Sequence, residues 1–162
     1  MQVSTNRNDF FHLAEVNMSN RFQMKKLVEV CFPVTYNEGF YEKVVQKYSD
    51  LSRYCLYKDL IVGGIVGRIE KDEKELSFVH LLVLLVLPPY RKRGFAKRMI
   101  DYLIQQIKDL NLDIDRLELH VQKINQTAVS FYLKQGFIIV EEKPDYYSNL
   151  SEPSAYYMTK KL

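Results

Sequence analysis

The sequence VLLVLPPYRKRGFAKRM, residues 83–99, joins an apolar run to five basic residues around one glycine. An apolar run of this kind is typical of a strand, and the segment after the glycine has helical periodicity. The first N–H groups of a helix lack intrahelical partners, and the helix dipole favours an anion beside them. Gly94 and Ala96 leave this face bare, so a phosphate can approach the backbone closely. The segment therefore predicts a phosphate-binding turn, with positive charge added by residues 91–93.

Three other interpretations of the basic cluster are a solvated helix face, a nuclear-localisation patch and a nucleic-acid surface. The pattern R-x-x-G-x-A fixes only three positions, so it is weak without its structural context. The chain has 23 Lys and Arg against 20 Asp and Glu, a net charge of only +3. A domain built around a polyanion usually has a larger excess of positive charge. The strand before the turn and the helix after it favour a small phosphate ligand.

Composition limits the other classes of protein. Cys31 and Cys55 have neither CxxC spacing nor a histidine at zinc-site spacing, which predicts a reduced compartment and no metal. The longest apolar run, Leu81–Leu87, is far shorter than the roughly 20 residues of a membrane span. The polar start MQVSTNRND lacks the apolar region of a signal peptide. We expect a protein of the cytoplasm, or also of the nucleus, that contacts neither membrane nor nucleic acid.

The elements that must position the turn follow from periodicity and from turn residues. Ser19 is expected to cap a first helix that ends at Phe32, because Pro33 disfavours helical backbone in the residue before it. Asn37 is expected to cap the second helix, and Gly136 to end the last one in a left-handed conformation. The remaining predicted helices are 94–110 and 126–135, and the predicted strands are 9–16, 53–57, 60–70, 76–87, 117–122, 137–142 and 155–160.

Antiparallel strands thus come first, and a β-α-β-α-β order follows them. This order is typical of an α/β fold, and here it predicts a mixed central sheet of about seven strands with flanking helices. The 162 residues contain no internal repeat and no linker, and their number is enough to bury one core. We expect one domain over residues 1–162.

Two motifs at this separation resemble the GCN5-related N-acetyltransferase (GNAT) superfamily. PYRKRGFA at 89–96 is similar to the loop that holds the pyrophosphate of acetyl-CoA in that superfamily. LHVQ at 119–122, followed by NQTA at 125–128 and FYLKQGF at 131–137, is similar to its later strand, helix and glycine stop.

Within the superfamily the chain resembles the NatE-type (San-type) N-α-acetyltransferases over about residues 27–162. The segments FPVTYN at 32–37 and Tyr146-Tyr147 share this likeness. The resemblance implies the GNAT fold, acetyl-CoA as cosubstrate and no metal. The coenzyme-binding residues that it implies are Leu84, Val86, Arg91, Lys92, Arg93, Gly94, Phe95, Ala96, Asn125 and Tyr132. An asparagine before a helix is equally a plain N-cap.

Acetyl transfer to an amine requires a neutral nucleophile and therefore a base that works near pH 7. Histidine suits this task, and His120 matches the base of the NatE-type enzymes. Those enzymes have a tyrosine on the strand before the pyrophosphate loop, where counting back from Pro89 without gaps gives His80. Either His80 replaces that tyrosine as a second base or water-positioning group, or the alignment is off by one residue. Tyr132 matches a residue that protonates or binds the leaving thiolate.

The resemblance also implies a pocket for a peptide N-terminus, built from an apolar loop and a late aromatic segment. The implied substrate-binding residues are Phe32, Pro33, Val34, Tyr36, His80, Tyr146 and Tyr147. Packing of the two loops is the alternative role for these aromatic residues. Cys31 lies next to this pocket in the sequence, and a buried, inert thiol is favoured over an acyl carrier.

The resulting hypothesis is an N-terminal acetyltransferase that acts on protein α-amines, above all those of Met-starting chains, by direct attack in a ternary complex. A ribosome-associated complex is the partner that the resemblance implies. Two alternatives stay open: an enzyme that acetylates lysine side chains or a small amine, and a non-catalytic subunit that binds acetyl-CoA.

Overall fold

Seven strands and four helices make up the part of the chain that the computed structural model describes, residues 10–162. The strands are β1 (Phe11–Glu15), β2 (Ser52–Tyr57), β3 (Leu60–Lys71), β4 (Ser77–Val86), β5 (Arg116–Gln122), β6 (Ile138–Lys143) and β7 (Ala155–Lys161). The helices are α1 (Arg21–Cys31), α2 (Glu38–Gln46), α3 (Phe95–Asp109) and α4 (Gln126–Lys134). Short 3-10 turns occur at Ser49–Leu51 and Pro88–Tyr90. Asp9, the first residue of the predicted β1, lies outside the described residues.

The strands form one mixed sheet in the order β1-β2-β3-β4-β5-β7-β6. Neighbours β1–β2, β2–β3, β5–β7 and β6–β7 are antiparallel, whereas β4–β5 is parallel. The predicted α/β class and the strand number are therefore confirmed. In β6, at one end of the sheet, the pairing with β7 shifts between Ile139 and Glu141, so Val140 forms a β-bulge.

The chain forms two compact units, and β3, β4 and α3 pass from one into the other. The single-domain expectation stays a prediction. In the first unit, residues 10–66 and 83–99 of the described chain, buried Tyr54 ties β2 to the start of α1. Its hydroxyl donates to the carbonyl of Asn20 at 2.6 Å and accepts from the amide of Met24 at 3.1 Å. This bond satisfies an amide that the first helical turn would otherwise leave unpaired.

The helix ends of the first unit test the predicted caps. The cap at Ser19 is wrong: α1 begins at Arg21 after Asn20, whose side chain makes no cap hydrogen bond. The amide and hydroxyl of Ser19 donate instead to the side-chain oxygen of Asn17, because a short polar side chain before Ser19 closes a local turn. The predicted end of this helix at Phe32 and the cap of α2 by Asn37 are confirmed.

In the second unit, Gly67–Leu82 and Ile100–Leu162, the buried strand β5 pairs along its length with β7. Gly136 has φ +87 and ends α4, with its amide bonded to the carbonyl of Leu133 and that of Phe137 to the carbonyl of Tyr132. These two bonds are the pattern of a Schellman motif, and the predicted glycine stop is confirmed. Among residues 10–162, no helix combines the length and apolarity that a membrane span requires.

Candidate active site

The predicted phosphate-binding turn lies between β4 and α3. After Val86 the chain makes the 3-10 turn Pro88–Tyr90, and the backbone is left-handed at Lys92 (φ 60) and at Gly94 (φ 81). Helix α3 then begins at Phe95. Backbone that alternates into the left-handed region before a helix turns successive N–H groups to one side, which is the geometry of an anion-binding nest.

The surface of this turn is bare and free of negative charge. A Cβ placed on Gly94 would meet no atom within 4 Å, and the first turn of α3 has no acidic residue. Phe95 is buried, with its ring 5.4 Å from that of Phe11 and 5.5 Å from that of Tyr57. Its side chain thus anchors the start of α3 in the core, and its backbone is the part available to a ligand.

Two of the basic side chains also order the turn itself. Nε of Arg91 donates to the carbonyl of Val86 at 2.8 Å, which folds the arginine back onto the end of β4. The guanidinium of Arg93 lies over the rings of Tyr57 (5.3 Å) and Tyr90 (5.6 Å). Their positive charge is therefore held close to the turn by contacts within the first unit.

Other predicted residues of the first unit lie on β4 and on the loop after α1. Leu84 is partly exposed on β4, while Val86 is nearly buried, and Ala96 is partly exposed on the first turn of α3. In the loop, Phe32, Val34 and Tyr36 are partly exposed and Pro33 is exposed.

The ring of Tyr36 stacks on that of Phe40 at 4.2 Å and meets Tyr41 edge-on at 6.5 Å. Tyr36 thus packs against the start of α2, and the alternative role, packing of the two loops against each other, stays a prediction. The peptide-binding role of this loop stays a prediction.

Cys31 ends α1 with its sulfur 3.9 Å from the carbonyl oxygen of Val86. Burial raises the pKa of this thiol, and Arg91 opposes the rise only in part. Burial raises the pKa of Cys55 to about 11. Because the thiolate is the nucleophilic form, neither cysteine is activated to accept an acyl group.

The second unit brings the two predicted histidines together. Their ring centroids are 5.4 Å apart, with His80 on β4 and His120 on β5. The ring of His120 also stacks on Tyr146 at 4.2 Å, nearly parallel, and lies 5.3 Å from that of Tyr157. His120 is thus enclosed by aromatic rings.

This enclosure determines the protonation of His120. The pKa of His120 is lowered to about 4, mainly by burial and also by the charges of His80 and Lys143, while Glu70 opposes the shift. Nδ1 of His120 is buried and has no hydrogen-bond partner among the described residues. The imidazole is therefore neutral at pH 7 in the free enzyme, and burial weakens its affinity for a proton.

The surroundings of His80 are more polar. Nδ1 of His80 lies 2.9 Å from Oε2 of Glu70, and Oε1 of Glu70 accepts from a terminal nitrogen of Arg68, also at 2.9 Å. The side chain of His80 is 16% exposed. Arg68, Glu70 and His80 thus form a chain of side-chain contacts that leads from β3 to the histidine pair.

The late aromatic segment covers His120. Tyr146 is 44% exposed, and Tyr147 meets it edge-on at 4.8 Å while its amide bonds to the carbonyl of Pro153. Burial raises the pKa of Tyr146 and also that of Tyr132, so both hydroxyls keep their protons at neutral pH. Tyr132 is half-buried on α4.

Asn125 accepts a hydrogen bond from the amide of Ala128 at 3.2 Å and is the N-cap of α4. That interpretation of Asn125 is confirmed, and its contact with coenzyme stays a prediction. Among the described residues, no group of three or more His, Cys, Asp or Glu could hold a metal ion.

Comparison with known proteins matches the acetyltransferase (GNAT) family to residues 21–137. The chain belongs to the acetyltransferase (GNAT) family. It is 32% identical to N-alpha-acetyltransferase 50 of Danio rerio, over 93% of this chain and 88% of that protein. It is 35% identical to the probable N-acetyltransferase san of Drosophila melanogaster, over 93% of this chain and 80% of that one.

Among solved structures, Arabidopsis thaliana Naa50 in complex with the bisubstrate analogue CoA-Ac-MVNAL matches with a TM-score of 0.85. It is 31% identical, over 94% of this chain and 99% of that one. These matches confirm the predicted family, the GNAT fold and the enzyme class, an N-α-acetyltransferase. The roles of individual residues of this acetyltransferase stay predictions.

Sequence reasoning missed Glu70, the partner of His80. The sequence contained a signal for this contact, because the turn 72–76 between β3 and β4 has an odd number of residues and both Glu70 and His80 are even-numbered positions. In an antiparallel hairpin with this turn, side chains of like parity share one face. Tyr157 was also missed, although it lies directly across from His120 in the β5–β7 ladder.

Proposed function

We propose that this acetyltransferase moves the acetyl group of acetyl-CoA to the α-amine of protein N-termini that retain methionine. The observation that supports this most strongly is the likeness to Naa50 bound to CoA-Ac-MVNAL, which extends over 94% of the chain. That analogue joins coenzyme to a peptide that begins with methionine. The histidine pair and its aromatic cover give this chain groups suited to the same reaction.

The proposed coenzyme site is built on the turn before α3. The amides near Gly94 bond the diphosphate oxygens, and the open space there admits them without a steric cost. The guanidinium groups of Arg91 and Arg93, held against the turn, add attraction to the anion. This arrangement supports acetyl-CoA as the cosubstrate.

The proposed chemical step is a direct attack. The neutral α-amine adds to the thioester carbonyl, the C–N bond forms as the C–S bond breaks, and the histidine pair receives the amine proton. The hydroxyl of Tyr132, whose burial keeps it protonated, donates to the departing thiolate. The raised pKa of Cys31 favours this route over an acyl-cysteine intermediate.

The proposed peptide site in the second unit is built around Tyr146. Tyr146 is exposed on one side and stacked on His120 on the other, so it can form a wall next to the reacting amine. In the first unit, the partly exposed Phe32, Val34 and Tyr36 are further side chains that could contact a peptide. The exposed rim and the hydroxyl groups suit a peptide backbone better than a small polar amine.

The proposed place of action is the cytoplasm, within a ribosome-associated acetyltransferase complex. The chemical reason is that nascent chains present free α-amines to the solvent as they leave the ribosome. Co-sedimentation of the tagged protein with ribosomes, and its release by high salt, would support this proposal. A protein found in the soluble fraction alone would contradict the ribosomal part.

A peptide panel tests the function. We expect acetyl transfer from acetyl-CoA to MVNAL-type peptides with a free N-terminus, and none to the same peptides with a blocked N-terminus. Matched peptides with a blocked N-terminus and one internal lysine test the side-chain alternative. Binding of acetyl-CoA without transfer to any peptide would favour a non-catalytic subunit. The reason to test this alternative is His80, which stands where the resemblance implies a tyrosine.

A further inference from the structure

We propose that Glu70 is a positioning residue that fixes the proton of His80 on Nδ1, so that Nε2 of His80 accepts the proton of the attacking α-amine. This inference rests on the proposed function and assigns the base within the histidine pair. It gives a role to a carboxylate on β3 that lies outside every motif of the sequence.

The contact with Glu70 determines the tautomer of His80. Nδ1 of His80 and Oε2 of Glu70 are 2.9 Å apart, a normal hydrogen-bond distance. An ionised carboxylate only accepts hydrogen bonds, so the histidine nitrogen must donate. A neutral imidazole with its proton on Nδ1 has its lone pair on Nε2. Glu70 thereby selects the atom of His80 that can take a proton.

The carboxylate of Glu70 is itself held in place by two partners. Its other oxygen, Oε1, accepts from Arg68 at 2.9 Å, so the two oxygens of Glu70 face different partners. Arg68 and Glu70 lie two residues apart on β3 and therefore on the same face of the strand. The two hydrogen bonds lie in different directions and fix the orientation of the Glu70 carboxylate. The fixed carboxylate in turn orients the imidazole ring of His80.

The surroundings of the two histidines differ in how well they suit a base. His120 is the one that the family resemblance favours, but its pKa is lowered to about 4, mainly by burial, and its ring contacts His80, Tyr146 and Tyr157. Taking a proton would create a charge between the rings of Tyr146 and Tyr157, near the ammonium of Lys143. At His80 the same charge would form in contact with a carboxylate. Electrostatics therefore favours His80, and His120 remains as a neutral neighbour of the reacting amine.

The step balances without another reactant. The amine nitrogen forms a bond to the acetyl carbonyl carbon and gives one N–H proton to Nε2 of His80. The C–S bond breaks with both electrons on sulfur, and the coenzyme leaves as a thiolate that takes a proton from solvent. The imidazolium of His80, paired with Glu70, then returns its proton to solvent.

The test is Glu70→Gln, which keeps the size of the side chain and removes its charge. We expect kcat to fall about tenfold to a hundredfold, with the KM of each substrate changing by less than about threefold. Glu75→Gln is the matched control, because Glu75 lies on the turn after β3 and its exposed side chain forms an ion pair with exposed Lys71 at 3.0 Å. We expect the control to keep the activity of the natural protein.

A spectroscopic readout separates positioning from a general loss of structure. Two-bond proton–nitrogen correlation spectra report which ring nitrogen holds the proton, and the signals of His80 are those that vanish in His80→Gln. We expect the Nδ1–H tautomer in the natural protein and a mixture, or the Nε2–H tautomer, in Glu70→Gln. The spectra of His120 should change little.

The outcomes distinguish this inference from the proposed function. If the natural protein acetylates N-terminal peptides and Glu70→Gln keeps its kcat, the inference is overturned and the function stands. The same holds if His80 has the Nε2–H tautomer in the natural protein. If the natural protein acetylates no N-terminal peptide, the proposed function fails and the base role fails with it.

Discussion

Alanine at position 94 tests whether backbone amides, rather than basic side chains, hold the coenzyme. Gly94 has φ +81, and an L-residue in this left-handed region costs about 1–2 kcal/mol. An added Cβ meets no atom within 4 Å in the free protein, so no steric cost adds to this one. The free energy of unfolding of Gly94→Ala should therefore fall by about 1–2 kcal/mol.

The effect on the coenzyme should be larger than that strain. The same open space is where a diphosphate would approach the turn, so the methyl group must displace the ligand or distort the loop. We expect the Kd of acetyl-CoA to rise at least about tenfold, which corresponds to about 1.4 kcal/mol. Isothermal titration calorimetry measures the Kd, and chemical denaturation measures the stability in the absence of coenzyme.

Gly136→Ala is the matched control. Gly136 has φ +87, so alanine suffers the same backbone strain, and its Cβ would lie 2.8 Å from Nζ of Lys160, which donates to the carbonyl of Gln135 at 2.6 Å and would have to shift slightly. We expect a similar loss of stability with an unchanged Kd. A Kd for Gly94→Ala within twofold of the natural value, or equal weakening in both variants, would refute a backbone site for the diphosphate.

Three further predictions concern stability and mechanism. Arg116→Leu leaves the nearly buried carboxylate of Glu118 without its ion-pair partner and should cost about 3 kcal/mol in denaturant unfolding, whereas Arg116→Leu with Glu118→Leu should recover most of it. Because the folded pKa of His120 is lowered from 6.5 to about 4, unfolded protein binds this proton more readily, and stability is lost as pH falls from about 6.5 to 4. His120→Phe should therefore lose less on acidification over that range, and equal slopes in thermal scans would contradict the lowered pKa. Cys31→Ser should keep kcat within about twofold, because the raised pKa of the thiol argues against an acyl-cysteine. Double-reciprocal plots of the natural protein should intersect, and parallel plots would indicate an acyl-enzyme.

Most of the fold could be predicted because its signals are local. Pro33 excludes helical backbone before it, Gly136 supplies the left-handed residue that ends a helix, and Asn37 offers an oxygen to a helix amide. The failure at Ser19 is instructive for the same reason. The side-chain oxygen of Asn17 accepts hydrogen bonds from the hydroxyl and amide of Ser19, so Ser19 forms a local turn and does not cap the helix. Preferences of single residues do not predict which of two such local hydrogen-bonding patterns forms.

The candidate site was only partly predictable, since its chemistry depends on contacts between distant segments. The sequence singled out both histidines, but not that they lie 5.4 Å apart or that the ring of Tyr146 covers His120. The lowered pKa of His120 depends on that cover, and no spacing in the sequence encodes it. Glu70 was missed for a different reason: it lies only ten residues from His80, but a glutamate at the end of a strand usually faces solvent.

The bulge at Val140 bears on how the molecules behave toward one another. Strand β6 lies at one end of the sheet and exposes Ile138 and Val140 to 61% and 53%. A flat apolar strand in this position would be a template on which other chains extend the sheet and aggregate. The extra residue bends the ladder at that point, and the charged run 141–143 follows directly. Deleting Val140 would straighten the edge, and an enzyme so altered should form aggregates at concentrations where the natural chain stays dispersed.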